Sequence, residues 1–186
     1  MIGEICKSPN IQYIIDLKTK MKCGVYVEIG VLYGGSIIEQ MKDTQNCIFV
    51  GIDPFSGYYG NSYDPHRNID LTDHYNIVNN NISENNPNNH KYHLIKGKSE
   101  DVVEDFENLN LEIDYLFIDG DHSYQGVMND YNNYLKFVKK DGIIVFDNYN
   151  DSSWLEVTKA VNEILDSNND IKLVEKYAKC CVVKKI

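Results

Sequence analysis

The sequence predicts a single α/β domain: a mostly parallel sheet with an antiparallel last strand and helices on both faces. Three observations predict it. An apolar, β-branched run at residues 25–29 passes into a glycine-bearing turn, Gly30 to Gly35, that opens a helix. A second apolar run at residues 47–52 ends in an acid, Asp53. Two strand-like runs, residues 171–177 and 180–184, close the chain at hairpin spacing, which sets the last strand antiparallel to its neighbour. A length of 186 residues suits one compact domain, 1–186, with a continuous core.

Taken in order, Ser8-Pro9 reads as an N-cap followed by proline at the first helical position, and Ile11, Ile14, Ile15 and Lys18 space the turns of the helix that follows. Strands are expected at residues 25–29, 47–52, 92–96, 115–118 and 143–146. Their near-continuous apolar character is what a parallel sheet buried on both faces requires. A long helix should start near Ser123, with Tyr124, Val127, Met128, Tyr131, Leu135 and Val138 three and four apart as core positions. It should end at Lys139-Lys140-Asp141-Gly142, with cations at the negative end of the dipole and glycine as the stop. A further helix over 153–165 carries Val157, Ala160, Val161 and Ile164 on one face. No internal repeat interrupts the alternation.

Residues 56–90 break it. The first half is rich in Tyr, His and Asp, with one Arg, Arg67, and reads either as an ordinary loop or as a substrate lid beside the ligand crevice. A weak helix over 71–78 precedes residues 79–89, where seven of eleven residues are Asn, and that half reads as a solvated loop.

A net charge of −10 and a pI near 4.9 argue against nucleic acid as a partner, since that binding draws on Lys and Arg neutralising phosphates. Cys6, Cys23, Cys47, Cys180 and Cys181 form no C-x-x-C pair and no Cys/His cluster, so they read as reduced, mostly buried thiols of a cytoplasmic protein. No apolar leader region is apparent, and no stretch approaches the roughly 18 consecutive apolar residues of a membrane span, so no membrane partner is expected. A homo-oligomer remains open.

The chemistry begins at the glycine turn, Glu28-x-Gly30-x-x-x-Gly34-Gly35-Ser36. A dinucleotide site reads G-x-G-x-x-G, because a pyrophosphate sits on the bare helix N-terminus. Glu28 would repel a pyrophosphate and suit a cation, while Asp53 can accept hydrogen bonds from the two vicinal hydroxyls of a ribose. The pattern resembles motif I of the class I S-adenosylmethionine (SAM) methyltransferases, whose cofactor carries an ammonium and a sulfonium and no phosphate. That resemblance implies a Rossmann-like fold and makes Glu28, Gly30, Gly34, Ser36 and Asp53 the cofactor contacts.

Two further strand ends are polar: Asp119-Gly120-Asp121-His122-Ser123-Tyr124, and Asp147-Asn148-Tyr149. In an open parallel sheet both face the crevice shared by Gly30 and Asp53. Two carboxylates and an amide oxygen are hard ligands suited to Mg²⁺ or Ca²⁺. As an isolated stretch, Asp-Gly-Asp-His is also good turn chemistry, and Ser123 could cap the helix that follows. Asp121 could cap that helix, orient His122 or bind substrate.

From Val25 onward the chain is similar to the divalent-metal-dependent O-methyltransferases of catechol, caffeoyl-CoA and macrocin type, and most to the small methyltransferase 24 group with its I-D-G-D-H-S-Y signature. The resemblance implies Asp119, Asp147 and Asn148 as ligands of a divalent metal, with Mg²⁺ the expected ion. It places the general base at His122, where Lys is usual, with Asp119 beside it lining both the cofactor and the reacting centre. Ser99 and Glu100, in Gly97-Lys98-Ser99-Glu100, fall near the adenine.

Methyl transfer to a hydroxyl of a small molecule is therefore expected, a sugar or nucleotide-linked sugar foremost. Catechols are the alternative acceptor. A cephalosporin-hydroxylase-like SAM/metal protein and a non-catalytic SAM-binding module are the alternative functions. The Asp/Asn-Pro-Pro-aromatic run of nucleic-acid N-methyltransferases is missing after the fourth predicted strand.

Overall fold

A computed structural model describes residues 9–21, 24–42, 44–57 and 60–186. In chain order the elements are α1 (Pro9–Met21), β1 (Val25–Ile29), α2 (Gly35–Lys42), β2 (Ile48–Asp53), the two-residue strands β3 (Tyr63–Asp64) and β4 (Ile69–Asp70), α3 (His74–Glu84), β5 (Tyr92–Lys96), α4 (Val103–Glu107), β6 (Ile113–Ile118), α5 (Tyr124–Tyr134), β7 (Val138–Phe146), α6 (Leu155–Ser167), β8 (Ile171–Tyr177) and β9 (Cys180–Lys185). Seven strands form one sheet in the order β5-β2-β1-β6-β7-β9-β8, and β3 pairs with β4 outside it. The sheet is parallel from β5 to β7, and β9 runs antiparallel between β7 and β8. The expected Ser8 cap, Cys6 and Cys23 lie outside the described residues. Cys47, Cys180 and Cys181 are buried. No helix among the described residues is long and apolar enough to cross a membrane.

The strands read as continuous apolar runs because both faces are covered. Val25, Val27, Ile29, Leu116 and Ile118 point toward α4, α5 and α6, where Phe106, Val127, Tyr131 and Val161 meet them. Tyr26, Phe49, Tyr115 and Phe117 point to the other side, toward α1, α2 and α3.

Two expectations fail here, each for a packing reason. The Asn-rich stretch is a loop only in its second half, 85–89: α3 runs on through Asn79, Asn80 and Asn81 to Glu84. Asn costs a helix up to about 0.7 kcal/mol per residue relative to Ala. Burying Val78 and Ile82, one turn apart, returns about 1.5–3 kcal/mol each. Asn81 is itself buried, and its amide donates to the Tyr33 carbonyl at 3.1 Å. The second failure concerns the long helix, which stops at Tyr134 and passes through a 3-10 turn, Leu135–Phe137, into β7. Val138 to Gly142 thus belong to a strand. Val138 pairs with Ile113 across a register shift, and a Cβ at Gly142 would stand 2.7 Å from Val138 Cγ1, so this glycine serves the irregular ladder rather than a helix stop. Lys139 pairs with Asp114 at 2.9 Å.

The 56–90 segment is tied to the turn after β1. Asp64 is fully buried and accepts from the Tyr33 hydroxyl (2.6 Å), the Arg67 guanidinium (3.1 Å) and the backbone N–H groups of His66 and Arg67. Arg67 also lies over the Tyr33 ring. His74, with the tautomer these contacts require, donates from Nε2 to the Leu32 carbonyl at 2.6 Å and accepts at Nδ1 from Gly57 N–H at 3.1 Å. Tyr58 and Tyr59, two of the rings expected in a lid, lie outside the described residues.

Two predictions follow from this packing. Gly30 has φ +90°, and a Cβ on it would stand 2.0 Å from the Asp119 carbonyl oxygen, whereas Gly60, at φ +80°, has nothing within 4 Å of that position. Gly60→Ala should therefore cost about 1 kcal/mol in denaturant unfolding, and Gly30→Ala more than about 4 kcal/mol. Equal losses would remove the close approach as the reason for Gly30. The second concerns acid. Burial would raise the Asp64 carboxyl, but its four donors outweigh burial and hold it below the usual range. Its contribution is complete above the unfolded carboxylate value of about 3.9 and disappears as pH falls through the lower folded value. Melting curves between pH 5 and 2.5 should show Asp64→Asn less stable at pH 5 and less sensitive to acid than the wild type.

Candidate active site

The turns after β1, β2, β5, β6 and β7 leave the sheet at one edge, and backbone hydrogen bonds knit them together just past the strands. Gly30 N–H donates to Ile52 O (2.9 Å), Gly97 N–H to Asp53 O (3.0 Å), Asp119 N–H to Ile29 O (2.9 Å) and Asp147 N–H to Ile118 O (3.0 Å). Chain order reverses between β1 and β6, so the crevice opens at the place where open α/β sheets take ligands.

On the β1 side, Glu28 is 1% exposed and accepts from the Tyr26 hydroxyl at 2.7 Å and from the Ser36 hydroxyl. Burial pushes its carboxyl up to about 8 against those two hydrogen bonds, with Asp119 and Asp53 adding to the rise. The acid expected to attract a cation is thus close to neutral until one arrives. Asp53 stands at the end of β2. Its Oδ2 accepts from the N–H groups of Val31 (2.9 Å) and Leu32 (3.3 Å), and Oδ1 accepts from Phe55 N–H (2.6 Å). A carboxylate offers about four acceptor positions, so Asp53 can hold the glycine turn and still receive a hydroxyl. Gly30 is glycine because the β6 turn passes over it; Gly34, at φ +79°, is packed against Ile82 and Val78 of α3.

Ser99 and Glu100 follow β5 and are held by α5. Ser99 donates its hydroxyl to Asp130, the Tyr134 hydroxyl donates to the Ser99 carbonyl at 3.0 Å, and the Asn129 amide donates to Glu100. Asp130 is the site residue that sequence reasoning missed. The signal was present: an acid at 130 stands within the buried stripe of Val127, Tyr131 and Tyr134.

The β6 and β7 ends form the other wall. His122 Nε2 lies 3.2 Å from Asp119 Oδ1, and the Trp154 ring packs on the imidazole with centroids 4.4 Å apart. Burial alone would lower the imidazole, but the Asp119 hydrogen bond and the charges of Asp119, Asp147 and Asp121 raise it. Asp119 is itself raised, first by burial and then by Asp147, against the opposing pull of His122. Asp121 is taken up by the helix start: it accepts from Ser123 N–H (2.9 Å) and from the Ser123 hydroxyl (3.0 Å), while Ser123 caps α5 through Gly126 N–H. Asp147 accepts from the buried Cys180 thiol at 3.3 Å, and Asn148 follows it with a left-handed φ of +58°.

Among the described residues no group of three or more His, Cys, Asp or Glu side chains is gathered closely enough to hold a metal ion. The donors named from the sequence are two carboxylates and an amide. They are hard oxygens that suit a small divalent cation in type, and the mutual repulsion of Asp119 and Asp147 is what such a cation would relieve.

Comparison with known proteins gives the family and the fold. A family model described as a methyltransferase domain matches residues 27–149, from β1 to the turn after β7. An uncharacterized protein of Acanthamoeba polyphaga mimivirus is 39% identical over 143 residues, which is 75% of this chain; the chain spans 58% of the length of that relative. Among solved structures, an O-methyltransferase from Bacillus cereus in complex with SAH superposes with a TM-score of 0.71 at 18% identity, covering 99% of this chain and 84% of that one. A TDP-rhamnose 3'-O-methyltransferase of calicheamicin biosynthesis gives 0.66 at 15% identity, covering 94% and 78%. At such identities the likeness is one of fold. The family match rests on the same stretch that carries the glycine turn, Asp53, the Asp119–His122 turn and the Asp147–Tyr149 end, and by it the chain belongs to the methyltransferase domain family.

Proposed function

We propose that the chain binds SAM and transfers its methyl group to a hydroxyl oxygen of a small molecule. The observation that carries this is a juxtaposition. Neighbouring strands β1 and β6 end in Glu28 with Ser36 and in Asp119 with His122, and Asp53 stands at the end of β2.

Glu28 and Asp119 supply negative charge for the ammonium and sulfonium, Asp53 takes the ribose hydroxyls, and Ser99 and Glu100 border the base. With Nε2–H directed at Asp119, Nδ1 is the ring nitrogen left to take a proton. Asp119 both orients that ring and makes it a stronger base. His122 removes the hydroxyl proton, and the oxygen attacks the methyl carbon in line as the carbon–sulfur bond breaks, its electron pair passing to sulfur so that SAH leaves as a neutral thioether. A divalent cation, Mg²⁺ by preference, held by Asp119, Asp147 and Asn148, would supply a lowered hydroxyl pKa and a fixed position. Most of the rate enhancement comes from positioning, since SAM is already activated.

For the acceptor we favour a sugar or nucleotide-linked sugar hydroxyl. Trp154 beside His122 gives an apolar face, Tyr63 is an exposed ring on the docked segment, and one structural neighbour acts on a TDP-sugar. Catechols are the second reading, because the same indole suits a planar ring. The free, buried thiols of Cys180 and Cys181 accord with a cytoplasmic setting.

Calorimetry should show SAM and SAH bound and NAD ignored; the reverse would overturn the cofactor. Excess EDTA should abolish methyl transfer while leaving SAM affinity intact, and full turnover in EDTA would overturn the cation. His122→Ala should lower kcat by roughly 10²–10⁴ with SAM affinity unchanged. Incubation with methyl-labelled SAM and matched panels of sugars, nucleotide sugars and catechols separates the acceptors, and label on catechols alone would overturn the sugar.

A further inference from the structure

The turn after β7 carries Asp147 and Asn148, and the β8–β9 hairpin holds it from the side. Register makes the first contact. Phe146 stands opposite Cys181 in the antiparallel pair of β7 and β9, so the next residues outward, Asp147 and Cys180, face each other on one side of the sheet. The ladder then continues past the strand, with Tyr149 N–H donating to the Lys179 carbonyl at 2.8 Å. Lys179 meets Asp151 at 2.5 Å, and Lys176 donates to the Tyr149 hydroxyl at 2.6 Å. Around these anchors the chain bends twice in three residues, at Asn148 (φ +58°) and Asn150 (φ +62°).

To Asp147 the hairpin gives a neutral donor. Cys180 is 0% exposed, and its Sγ–H donates to Asp147 Oδ1 at 3.3 Å. Burial, then the charge and hydrogen bond of Asp147, then the charge of Asp119 raise the thiol above its ordinary value, so it keeps its proton and remains a donor. A lysine in its place would neutralise the carboxylate and compete with a divalent cation. A thiol is a weak donor that orients a carboxylate and leaves its charge in place. That orientation needs support, because Asp119 and Asp147 repel each other while the cation is missing.

We propose that Cys180 is a positioning residue, whose thiol holds the Asp147 carboxylate in place beside Asp119 for a divalent cation. This rests on the cation reading above and goes further by naming what orients one of the ligands. Groups that hydrogen-bond to a metal ligand fix its direction, and losing one costs roughly 10–100-fold in metal affinity.

The test is Mn²⁺ binding with and without SAH, read from the electron paramagnetic resonance of free Mn²⁺, with SAH affinity by calorimetry and a melting curve for every variant. Cys180→Ala and Cys180→Val remove the donor, the first leaving a void and the second filling it. Cys180→Ser keeps a donor, and Cys181→Ala makes an equal void on the other face of β9, in the core under α5 and α6. The two donorless variants should bind Mn²⁺ roughly 10-fold more weakly or worse with SAH affinity unchanged, while Cys180→Ser and Cys181→Ala stay near the wild type. Should neither donorless variant melt cooperatively, the infrared S–H stretch of the wild type, assigned by its loss in Cys180→Ser, decides: it should shift when Mg²⁺ is added. Wild-type Mn²⁺ affinity in a donorless variant, an equal loss in Cys181→Ala or Cys180→Ser, or an S–H band that Mg²⁺ leaves unmoved would overturn the role of Cys180 while the cation reading stands. A wild type that binds no Mn²⁺ in either state would overturn the cation reading, and this role with it.

Discussion

The structure depends on the close approach of two strand ends. Ile29 accepts a hydrogen bond from Asp119 N–H at 2.9 Å, and the backbone of Asp119 and Gly120 lies where a side chain on Gly30 would be. That contact brings the cofactor turn of β1 against the acid–imidazole turn of β6. It also fixes Glu28, Asp53 and Asp119 near enough for their charges to influence one another. A substitution that moves either backbone separates the two halves of the proposed reaction, whatever becomes of the side chains. His74, Asp64 and Asn81 support the same turn from outside.

The acids of this site show how donor supply, rather than residue type, decides a carboxyl's state. Asp64 and Glu28 are both buried. Asp64 has the Tyr33 hydroxyl, Arg67 and two backbone N–H groups, and stays ionised. Glu28 has two hydroxyls and no cation, and is pushed up to about 8. Its folded value stands above its unfolded value of about 4.3, so its carboxyl binds a proton in the fold that the unfolded chain releases, and stability falls as pH rises between those two values. Glu28 and Asp119 are raised by desolvation, and an ammonium or sulfonium placed between them would draw both back toward ionisation. The crevice is thus preorganised for positive charge and carries a stability cost until that charge is supplied.

How much of this was legible in the sequence follows from the range of the signal. The parallel strands declared themselves because both faces of the sheet are buried, which leaves a local apolar run at each. The antiparallel position of β9 was legible from the two-residue gap before it, and α6 from its apolar face. The glycine turn, Asp53, and the Asp119–His122 and Asp147–Asn148 ends could be placed at one edge of the sheet because each follows directly on such a strand. What escaped was decided elsewhere in the fold. The α3 helix persists through Asn79 to Asn81 because Val78 and Ile82 pack on Gly34, far away in sequence. The end of α5 is set by the pairing of Val138 with Ile113. Asp130 shows locally only as an acid within the buried stripe of α5, and its partner Ser99 arrives from a distant turn. The small helix α4 and the β3–β4 pair are too short to leave a period.

The central claim is that the ends of β1, β2 and β6 form one binding site for an adenosyl ligand, and the most direct measurement is a crystal structure of the protein grown with SAH. The account predicts the ribose hydroxyls within hydrogen-bond distance of Asp53, the homocysteine moiety between Gly30 and Asp119, and the sulfur facing His122. A ligand bound elsewhere, or one reversed so that the base lies at Asp119, would contradict it.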